Sequence, residues 1–285
     1  TGLKLSLTDY NFIFACDMPF LNENLIKFMI HSIKDADIVI HTAAVHESSL
    51  LKIPNSKFFN VNVKGMFNVL EGIRHSGKNT QLICLSSSSV YDVFTAPRSP
   101  IDENHDRKPI TLYGMTKILV EEQVRQYEWQ YSIPSTILRP NYIVAGPEML
   151  YAFNYSVVFD VLQRYADNSK VQFHTPDDPN AWMAVKSSSE MKNGNLCIPR
   201  SPKGETWQWH MVDVRDVVDL IEQCLGNEDT YGQTFNVAGA DVCNWSEVVP
   251  YIAEKTGRKI VEVEIPNLWQ YSFDQSSSKD TLGFE

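Results

Sequence analysis

Residues 80–92, TQLICLSSSSVYD, join an apolar segment to a cluster of hydroxyl groups. The segment TQLICLSS (80–87) is continuously apolar before its serines, which is typical of a parallel strand that is covered on both faces of its sheet. Open α/β sheets bind their ligands at the carboxyl ends of such strands. The stretch therefore predicts a parallel sheet and places serine side chains at its ligand-binding edge.

Similar strands and intervening helices surround this stretch over about the first 150 residues. The other predicted strands are NFIFAC (11–16), ADIVIHTAA (36–44) and PSTILRP (134–140). The predicted helices are NENLIKFMIHSIK (22–34), KFFNVNVKGMFNVLEGIRHSG (57–77) and TLYGMTKILVEEQVRQYEWQYS (111–132). Repetition of strand, helix and strand implies right-handed crossovers and an α/β fold with a doubly wound, parallel sheet of the Rossmann type.

The sequence changes character after Pro140. Residues 141–210 are rich in proline, asparagine and polar segments, which predicts long loops and short elements. Further strands and helices are predicted in HMVDVRDVVDLIEQCLGN (210–227), QTFNVAGA (233–240) and NWSEVVPYIAEKTG (244–257). We expect the sheet in residues 1–140 and a smaller C-terminal lobe in 141–285, with about residues 207–240 returning to the sheet.

Charge and cysteine content bear on the class of protein. A formal net charge of −10 disfavours a nucleic-acid surface, since such binding depends on lysine and arginine displacing counterions. The five cysteines are scattered without Cys-x-x-Cys spacing, which indicates reduced thiols and predicts no metal site. No apolar run of about 18 residues and no signal-peptide pattern is visible. We expect a cytoplasmic protein that acts on a small molecule, without nucleic-acid or membrane partners.

Two tyrosine–lysine pairs have the four-residue spacing that places both side chains on one face of a helix. One is Tyr113 and Lys117 in YGMTK, and the other is Tyr251 and Lys255 in YIAEK. The helix of the first pair follows the serine-ended strand, whereas no polar cluster leads to the second pair. We expect chemistry at the first pair and a helix surface at the second.

Proton transfer explains why these residue types would be needed together. A free phenol has a pKa of about 10, so a phenol that acts as a base at neutral pH needs adjacent positive charge, here from Lys117. A serine hydroxyl can then hold the substrate oxygen that gains or loses the proton. In the alternative interpretation, the serines only satisfy backbone groups in a turn.

Seven segments, in order, resemble the extended short-chain dehydrogenase/reductase family, which contains NAD-dependent epimerases, dehydratases and reductases. They are DADIVIHTAA, which resembles the family's fourth strand, NVNVKGMFNVLE, SSSSVYD, YGMTK, LRPNYIVAGP, MVDVRDVVD and FDQSSSKDTLGFE. The resemblance implies NAD or NADP as cofactor and an oxidoreductase or epimerase that acts on a hydroxyl or keto carbon, of a sugar nucleotide or a related small molecule. Residues 1–140 would be a partial dinucleotide-binding domain and 141–285 mainly a substrate lobe. A homodimer through helices 57–77 and 111–132 is a further expectation.

The resemblance also implies roles for individual residues. Tyr113 would transfer the proton, Lys117 would hold the nicotinamide ribose, and Ser87 would bind the substrate oxygen, with Ser86 and Ser88 as alternatives. Further cofactor contacts would come from Asp17, Met18, Ala43, Ala44, Asn62 and Pro140. Substrate contacts would come from Ser88, Asn141, Tyr142, Arg200 and Arg215, where Asn141 and Tyr142 compete for one role.

Two departures from the family pattern concern the cofactor and the substrate. The chain has 13 glycines but no Gly-x-Gly-x-x-Gly turn for a cofactor pyrophosphate. We therefore expect roughly the first 50 residues of such a domain to be absent, dinucleotide binding by this chain to be weak, and the choice between NAD and NADP to stay open. UDP-sugar epimerases of the family often carry an arginine, which grips the pyrophosphate, where Trp209 stands in this sequence. The substrate is therefore either a UDP-sugar or a smaller or more apolar molecule.

Residues 11–30 admit a second interpretation. ACDMPFL (15–21) also resembles the metal-binding segment of molybdenum-cofactor guanylyltransferase-like nucleotidyltransferases, in which Asp17 would hold Mg²⁺ on a nucleotide. In the dehydrogenase interpretation, which we favour, NFIFAC is the family's third strand, and Asp17 and Met18 contact the adenine. A nucleotidyltransferase-related or fused protein and a non-catalytic dinucleotide-binding regulator are the alternative functions.

Overall fold

The computed structural model describes residues 12–15, 36–46, 53–94, 98–146, 149–168, 180–186 and 194–284, with the backbone alone for 12–15, 164–165 and 167–168. The predicted helix at 22–34 lies outside these residues. The strands are β1 (Phe12–Ala15), β2 (Ile38–His41), β3 (Gln81–Leu85), β4 (Ser135–Pro140), β5 (Ile143–Val144), β6 (Leu196–Arg200), β7 (Gln208–Trp209), β8 (Val212–Asp213), β9 (Thr234–Val237), β10 (Cys243–Asn244) and β11 (Ile260–Glu264).

Helices connect most of these strands. They are α1 (Asn55–Phe58), α2 (Lys64–Ser76), α3 (Leu112–Tyr131), α4 (Met149–Ala152), α5 (Tyr155–Asn168), α6 (Trp182–Val185), α7 (Val214–Cys224), α8 (Trp245–Thr256) and α9 (Ser276–Leu282). A π-helical turn, Phe59–Val63, joins α1 to α2. Among the described helices, none combines the length and the apolar character that crossing a lipid bilayer requires.

A five-stranded parallel sheet in the order β1-β2-β3-β4-β9 forms the centre of the fold. Successive side chains of a strand point to opposite faces. Along β2, Val39 packs in the core that includes Val69 of α2 and Val124 of α3, whereas Ile38 and Ile40 pack in the core that includes residues of α7. Both faces are thus covered by helices, which confirms the predicted doubly wound α/β fold.

Strand β1 does not take the place expected for it. It pairs directly with β2, from Phe12 opposite Ile38 to Ala15 opposite His41. In a sheet of order 3-2-1-4-5-6, the first strand lies beside the fourth, and the third lies two places further out. With β2 as the fourth strand, β1 therefore lies in the place of the first strand of such a sheet and not in that of the third. The strand instead pairs with the edge of β2, which offers backbone groups that need partners.

The C-terminal lobe contains more regular structure than the loops and short elements predicted for residues 141–210. Helix α5 has buried Tyr155, Val158 and Leu162 at helical spacing, a pattern that the proline- and asparagine-rich flanks obscured. Beyond it, β6 pairs in parallel with β11, and β7 pairs antiparallel with β10. Strand β9, within the 207–240 segment, returns to the central sheet beside β4.

Candidate active site

A cavity of about 420 Å³ lies at the carboxyl ends of β2, β3 and β4. The segments that follow these three strands form one part of its wall, the start of α3 forms a second, and aromatic residues of the lobe form a third. Ser87, Tyr113 and Lys117 all line it. The structure thus brings the three residues expected to carry proton transfer to one site.

Tyr113 and Lys117 lie in the first two turns of α3 and are buried. The Thr111 hydroxyl caps this helix by accepting a hydrogen bond from the Gly114 N–H at 3.0 Å. Lys117 Nζ donates to the backbone oxygen of Leu85 at 2.8 Å and lies 5.6 Å from the centre of the Tyr113 ring. The ammonium group is therefore fixed between the end of β3 and the phenol.

The second tyrosine–lysine pair has nearly the same local geometry but different surroundings. In α8, Lys255 Nζ lies 5.4 Å from the centre of the Tyr251 ring. However, Tyr251 is 62% exposed, whereas Tyr113 is 8% exposed. The helix spacing produces the contact in both places, and only burial at the end of a strand makes the first pair a candidate site.

Two of the four serines after β3 are engaged by buried partners. The Ser86 hydroxyl donates to Glu121 Oε1 at 2.6 Å, and the Ser88 hydroxyl donates to Asn141 Oδ1 at 2.6 Å. Both serines are buried. Their hydroxyl protons are committed to the protein, so they are poor donors to a substrate oxygen even though both line the cavity.

The other two serines, Ser87 and Ser89, are half-buried and line the cavity. Ser87 Oγ accepts from the Ser89 N–H at 3.1 Å and contacts the Ser89 hydroxyl at 3.2 Å. The partner of the Ser87 hydroxyl is thus another hydroxyl beside the cavity, which a ligand oxygen could replace. Of the three serines considered from the sequence, Ser87 is the one whose hydroxyl has no buried acceptor in the described residues.

Asn62 fixes the segment that follows β2. Its side chain accepts from the Val45 N–H at 2.7 Å, donates to the Val45 oxygen at 3.1 Å and donates to Thr116 Oγ1 at 2.9 Å. Ala44 lines the cavity in this segment, and Ala43 beside it is half-buried. Asn62 therefore ties the alanine segment to α3, next to Tyr113 and Lys117.

A buried ion cluster supports the end of β3. The Glu121 carboxylate accepts from Arg139 Nε at 2.9 Å and from Nη2 at 2.8 Å, and Arg107 and Arg125 lie 3.2 and 3.1 Å from it. Burial alone would raise the pKa of Glu121, but Arg139, the Ser86 hydroxyl and Arg125 outweigh burial and lower this pKa to about 2. The charged carboxylate holds Ser86 and so the start of the serine turn.

His41, the last residue of β2, is buried near Lys117. Burial and the Lys117 charge lower the pKa of His41 to about 3, so its imidazole is neutral at physiological pH. Its Nδ1 atom has no hydrogen-bond partner among the described residues. The neutral ring places no second positive charge beside the Lys117 ammonium.

Pro140, Asn141 and Tyr142 carry the end of β4 into the cavity wall. The Asn141 side chain accepts from Ser88 and donates to the backbone oxygen of His210. It also hydrogen-bonds to Tyr271, whose pKa is raised by burial despite this bond. Asn141 is thus held by protein groups, while the Tyr142 side chain is 39% exposed.

Two predicted substrate residues lie away from the cavity wall. Arg200, at the end of β6, pairs with Glu262 at 2.8 Å. Arg215, in the first turn of α7, pairs with Asp213 at 2.8 Å, and its side chain is 84% exposed. The structure therefore does not bring either guanidinium to Tyr113. Asp17 and Met18 lie outside the described residues.

Several cavity residues were not predicted from the sequence. The His46 ring lies edge-on to Tyr113 with ring centres 4.5 Å apart, and Ser89, Phe94 and Tyr271 also line the cavity. For His46 and Ser89 a signal existed, because Ser89 lies within SSSSVYD and His46 lies two residues after DADIVIHTAA. Tyr271 comes from the lobe, and no local pattern marks it.

Comparison with known proteins places this chain in a family. Residues 8–238 match the NAD dependent epimerase/dehydratase family, and this range includes the segment at 11–30. The N-acetyl-alpha-D-glucosaminyl-diphospho-ditrans,octacis-undecaprenol 4-epimerase of Escherichia coli is 26% identical over 246 residues; these cover 84% of this chain but only 61% of that protein.

Two solved structures show the same fold. A short-chain dehydrogenase/reductase superfamily protein of Agrobacterium tumefaciens, solved with bound NAD, has a TM-score of 0.74 at 24% identity, covering 91% of this chain and 77% of its own. The UDP-N-acetylglucosamine 4-epimerase of Bacillus cereus has a TM-score of 0.66 at 18% identity, and the match covers 96% of this chain and 81% of that protein. Because residues 8–238, most of the chain, match the family, the chain belongs to the NAD-dependent epimerase/dehydratase family.

Proposed function

We propose that this chain carries the proton-transfer site of an NAD(P)-dependent oxidoreductase or epimerase that acts on a hydroxyl or keto carbon. The observation that supports this proposal is the meeting of Tyr113, Lys117 and Ser87 at one cavity on the carboxyl edge of the sheet. The Escherichia coli relative and the Bacillus cereus structural neighbour are both 4-epimerases of N-acetylglucosamine compounds, which supports a sugar nucleotide or a related small molecule as substrate.

The cavity wall fits the nicotinamide half of such a cofactor. Ala44 adds only a methyl group to the wall, Lys117 supplies a cation, and Pro140 adds an apolar surface without a backbone N–H. These three residues would hold the nicotinamide and its ribose. The sequence has no Gly-x-Gly-x-x-Gly turn for the pyrophosphate, so the affinity of this chain for a dinucleotide should be weak.

The side chains divide the proton chemistry between them. A bound nicotinamide would supply the exchange of a hydride with the substrate carbon. Tyr113 accepts the proton of the substrate hydroxyl as that group becomes a carbonyl and returns it in the reverse direction. Lys117, held by the Leu85 oxygen, places positive charge beside the phenol when Tyr113 has lost its proton. Ser87 donates its hydroxyl hydrogen to the substrate oxygen in place of its contact with Ser89.

Replacement of Tyr113 by phenylalanine tests this proposal. Tyr113→Phe removes the proton carrier and should lower turnover about 10²–10⁴-fold while nicotinamide binding is retained. Turnover is measured with NAD or NADP at millimolar concentration and UDP-glucose or UDP-N-acetylglucosamine as substrate, and the sugar products are identified by NMR.

The matched control is Tyr251→Phe, which removes the phenol of the second pair. Because Tyr251 lies on an exposed helix surface, the turnover of the Tyr251→Phe variant should equal that of the unsubstituted chain. Turnover of Tyr113→Phe within a few-fold of that value would show that the phenol at 113 does not carry the proton.

A further inference from the structure

His210 lies directly after β7 and is buried, with 4% of its surface exposed. Its imidazole joins two other segments of the chain. The Nε2 atom lies 2.6 Å from the backbone oxygen of Gly239, just beyond β9, and the Nδ1 atom accepts a hydrogen bond from the Phe273 N–H at 3.0 Å. A carbonyl oxygen can only accept and a backbone N–H can only donate, so the ring is neutral and carries its hydrogen on Nε2.

The bond from Phe273 to the ring takes the place of a backbone bond. The segment 269–271 pairs in parallel with Gln208, which donates its N–H to the first of these residues at 3.0 Å and accepts from the third at 3.1 Å. Two residues further along, the same pattern would bring the Phe273 N–H to the backbone oxygen of His210. The His210 ring accepts this N–H instead, and the backbone oxygen of His210 accepts from the Asn141 side chain.

The hydrogen bonds of His210 hold two residues of the cavity wall, although His210 does not itself line the cavity. Asn141, whose side chain donates to the His210 oxygen, lines the cavity and also accepts from the Ser88 hydroxyl at 2.6 Å. Tyr271 lines the cavity two residues before Phe273, in the segment whose N–H the ring accepts. Both wall residues are therefore held through one residue that lies behind them.

Protonation of His210 would break this arrangement, because a second hydrogen on Nδ1 would face the Phe273 N–H. Burial lowers the pKa of His210 below its usual value of 6.5, against the bond to the Gly239 oxygen and the Asp241 carboxylate, which raise it. On the segments around the ring, 141–144, 208–215, 238–244 and 270–275, the other titratable side chains are Tyr142, Asp213, Arg215, Cys243, Tyr271 and Asp274. Asp241 is the residue among them whose charge acts on the imidazole.

We propose that His210 is a positioning residue of the active site: its neutral ring holds the C-terminal segment that carries Tyr271 and leaves the His210 oxygen to Asn141. The inference rests on the proposed function, because a substrate must use this wall, and it adds a residue that acts from behind the wall. When the segment opens locally, the imidazole regains its usual pKa and takes up a proton as the pH falls through about 6.5. The closed segment takes up that proton only at lower pH, so opening becomes easier as the pH falls.

Hydrogen exchange of the Phe273 amide, followed by NMR on the full chain, measures this opening. The exchange rate at each pH is divided by that of an unstructured peptide at the same pH, which removes the direct chemical effect of hydroxide. From about pH 7.5 to about pH 5.5 the corrected rate should rise by up to about tenfold, the effect of one proton bound by the opened segment. A corrected rate that stays constant over this range would overturn the inference.

Two substitutions separate the two bonds of the ring. His210→Asn places an amide oxygen near the position of Nδ1, so it retains an acceptor for Phe273 and cannot be protonated, whereas His210→Gln places an amide nitrogen near the position of Nε2 and retains only the donor to Gly239. His210→Asn should exchange as the unsubstituted chain does at the upper pH and should lose the rise at the lower pH. His210→Gln should raise the exchange of the Phe273 amide about three- to tenfold already at the upper pH, the effect of one lost hydrogen bond.

The same two variants test the effect on the site. With UDP-N-acetylglucosamine as substrate, His210→Gln should raise KM about three- to tenfold and change kcat less than about twofold, because the wall is displaced while Tyr113 and Lys117 keep their places. His210→Asn should keep KM near that of the unsubstituted chain. Equal KM values for the two variants would overturn the inference, since a residue that only fills space would tolerate or reject both amides alike.

His105→Gln is the matched control. His105 is also buried, burial likewise lowers its pKa, and its Nδ1 atom has no hydrogen-bond partner among the described residues, but His105 does not line the cavity. Its substitution should change neither the exchange of the Phe273 amide nor KM, and an effect equal to that of His210→Gln would overturn the inference. If His210→Gln does not fold, the pH series of the unsubstituted chain and of His210→Asn decides.

The outcomes also separate this inference from the proposed function. Turnover that is absent or indifferent to Tyr113, with exchange of the Phe273 amide that responds to His210 as expected, would count against the proposed function alone. Turnover that depends on Tyr113, with KM and the exchange of the Phe273 amide indifferent to His210, would overturn this inference alone.

Discussion

Glu121 and Glu71 have similarly lowered pKa values but different surroundings. Arginine partners hold the pKa of each near 2, yet the Glu121 side chain is 0% exposed and that of Glu71 is 26% exposed. Glu121→Gln should lower the free energy of unfolding by about 3–5 kcal/mol, because Arg139 is left buried without its counter-charge. Glu71→Gln should lower it by less than about 1 kcal/mol. Urea unfolding at neutral pH measures both, and equal losses would contradict the distinction.

The same carboxylate sets an expected pH dependence. In the folded chain the pKa of Glu121 is about 2, below its usual value of 4.5. Its stabilising contribution is therefore complete above the usual value and is lost as the pH falls towards 2. Between about pH 5 and 3 the unsubstituted chain should lose more stability than Glu121→Gln, which has no carboxyl to titrate at this position. If the urea midpoints of the unsubstituted chain and of Glu121→Gln fell equally as the pH is lowered, groups other than Glu121 would control acid unfolding.

The approach of α3 to the serine turn depends on Gly114. A Cβ atom added at Gly114 would collide with the backbone oxygen of Ser89, whereas one added at Gly65 in α2 would meet nothing within 4 Å. Gly114→Ala should therefore push α3 away from the turn, lower the unfolding free energy by more than about 1 kcal/mol and reduce turnover through Tyr113. Gly65→Ala should raise stability by up to about 1 kcal/mol. Thermal unfolding and turnover of both variants check this. If Gly114→Ala changed neither the stability nor the turnover, the helix could shift freely.

The elements also explain which parts of the site could be predicted from sequence. Ser87, Tyr113 and Lys117 were predictable as a group because each lies at the end of a strand or the start of a helix, where local spacing fixes its place. The position of Arg200 was not predictable, because its partner Glu262 is brought beside it by the pairing of β6 with β11. No local sequence pattern indicates that pairing. The pairing of Arg215 with Asp213, two residues away, is local and could be predicted from the sequence.

Long-range packing decided what the sequence pattern left open. Tyr271 reaches the cavity through the lobe core, where it packs near Trp209 and Phe273. The place of β1 likewise depends on which strand edge is available to it, and a run of apolar residues at 11–16 contains no information about its neighbour. The alternation of Ile38, Val39 and Ile40 between two cores, by contrast, follows from strand geometry alone, and the doubly wound sheet was predictable for that reason.

For the whole molecule, the remaining prediction is the homodimer through the two helical segments. Phe59 and Phe67 are 51% and 47% exposed, and Met115 and Leu119 of α3 are 42% and 37% exposed. Large apolar side chains exposed on adjacent helices are typical of a surface that another protein covers. Phe67→Glu should place a charge in this interface and convert a dimer to a monomer, because an unpaired buried charge is costly.

Sedimentation equilibrium at micromolar concentration measures the mass of each variant. Tyr251→Glu is the control, since Tyr251 is 62% exposed on α8, away from the predicted interface, and its substitution should leave the dimer intact. Phe67→Glu should keep the thermal stability of an isolated subunit, because Phe67 is already half exposed in one chain. A monomeric unsubstituted chain, or a dimer that survives Phe67→Glu, would show that these helices do not form the interface.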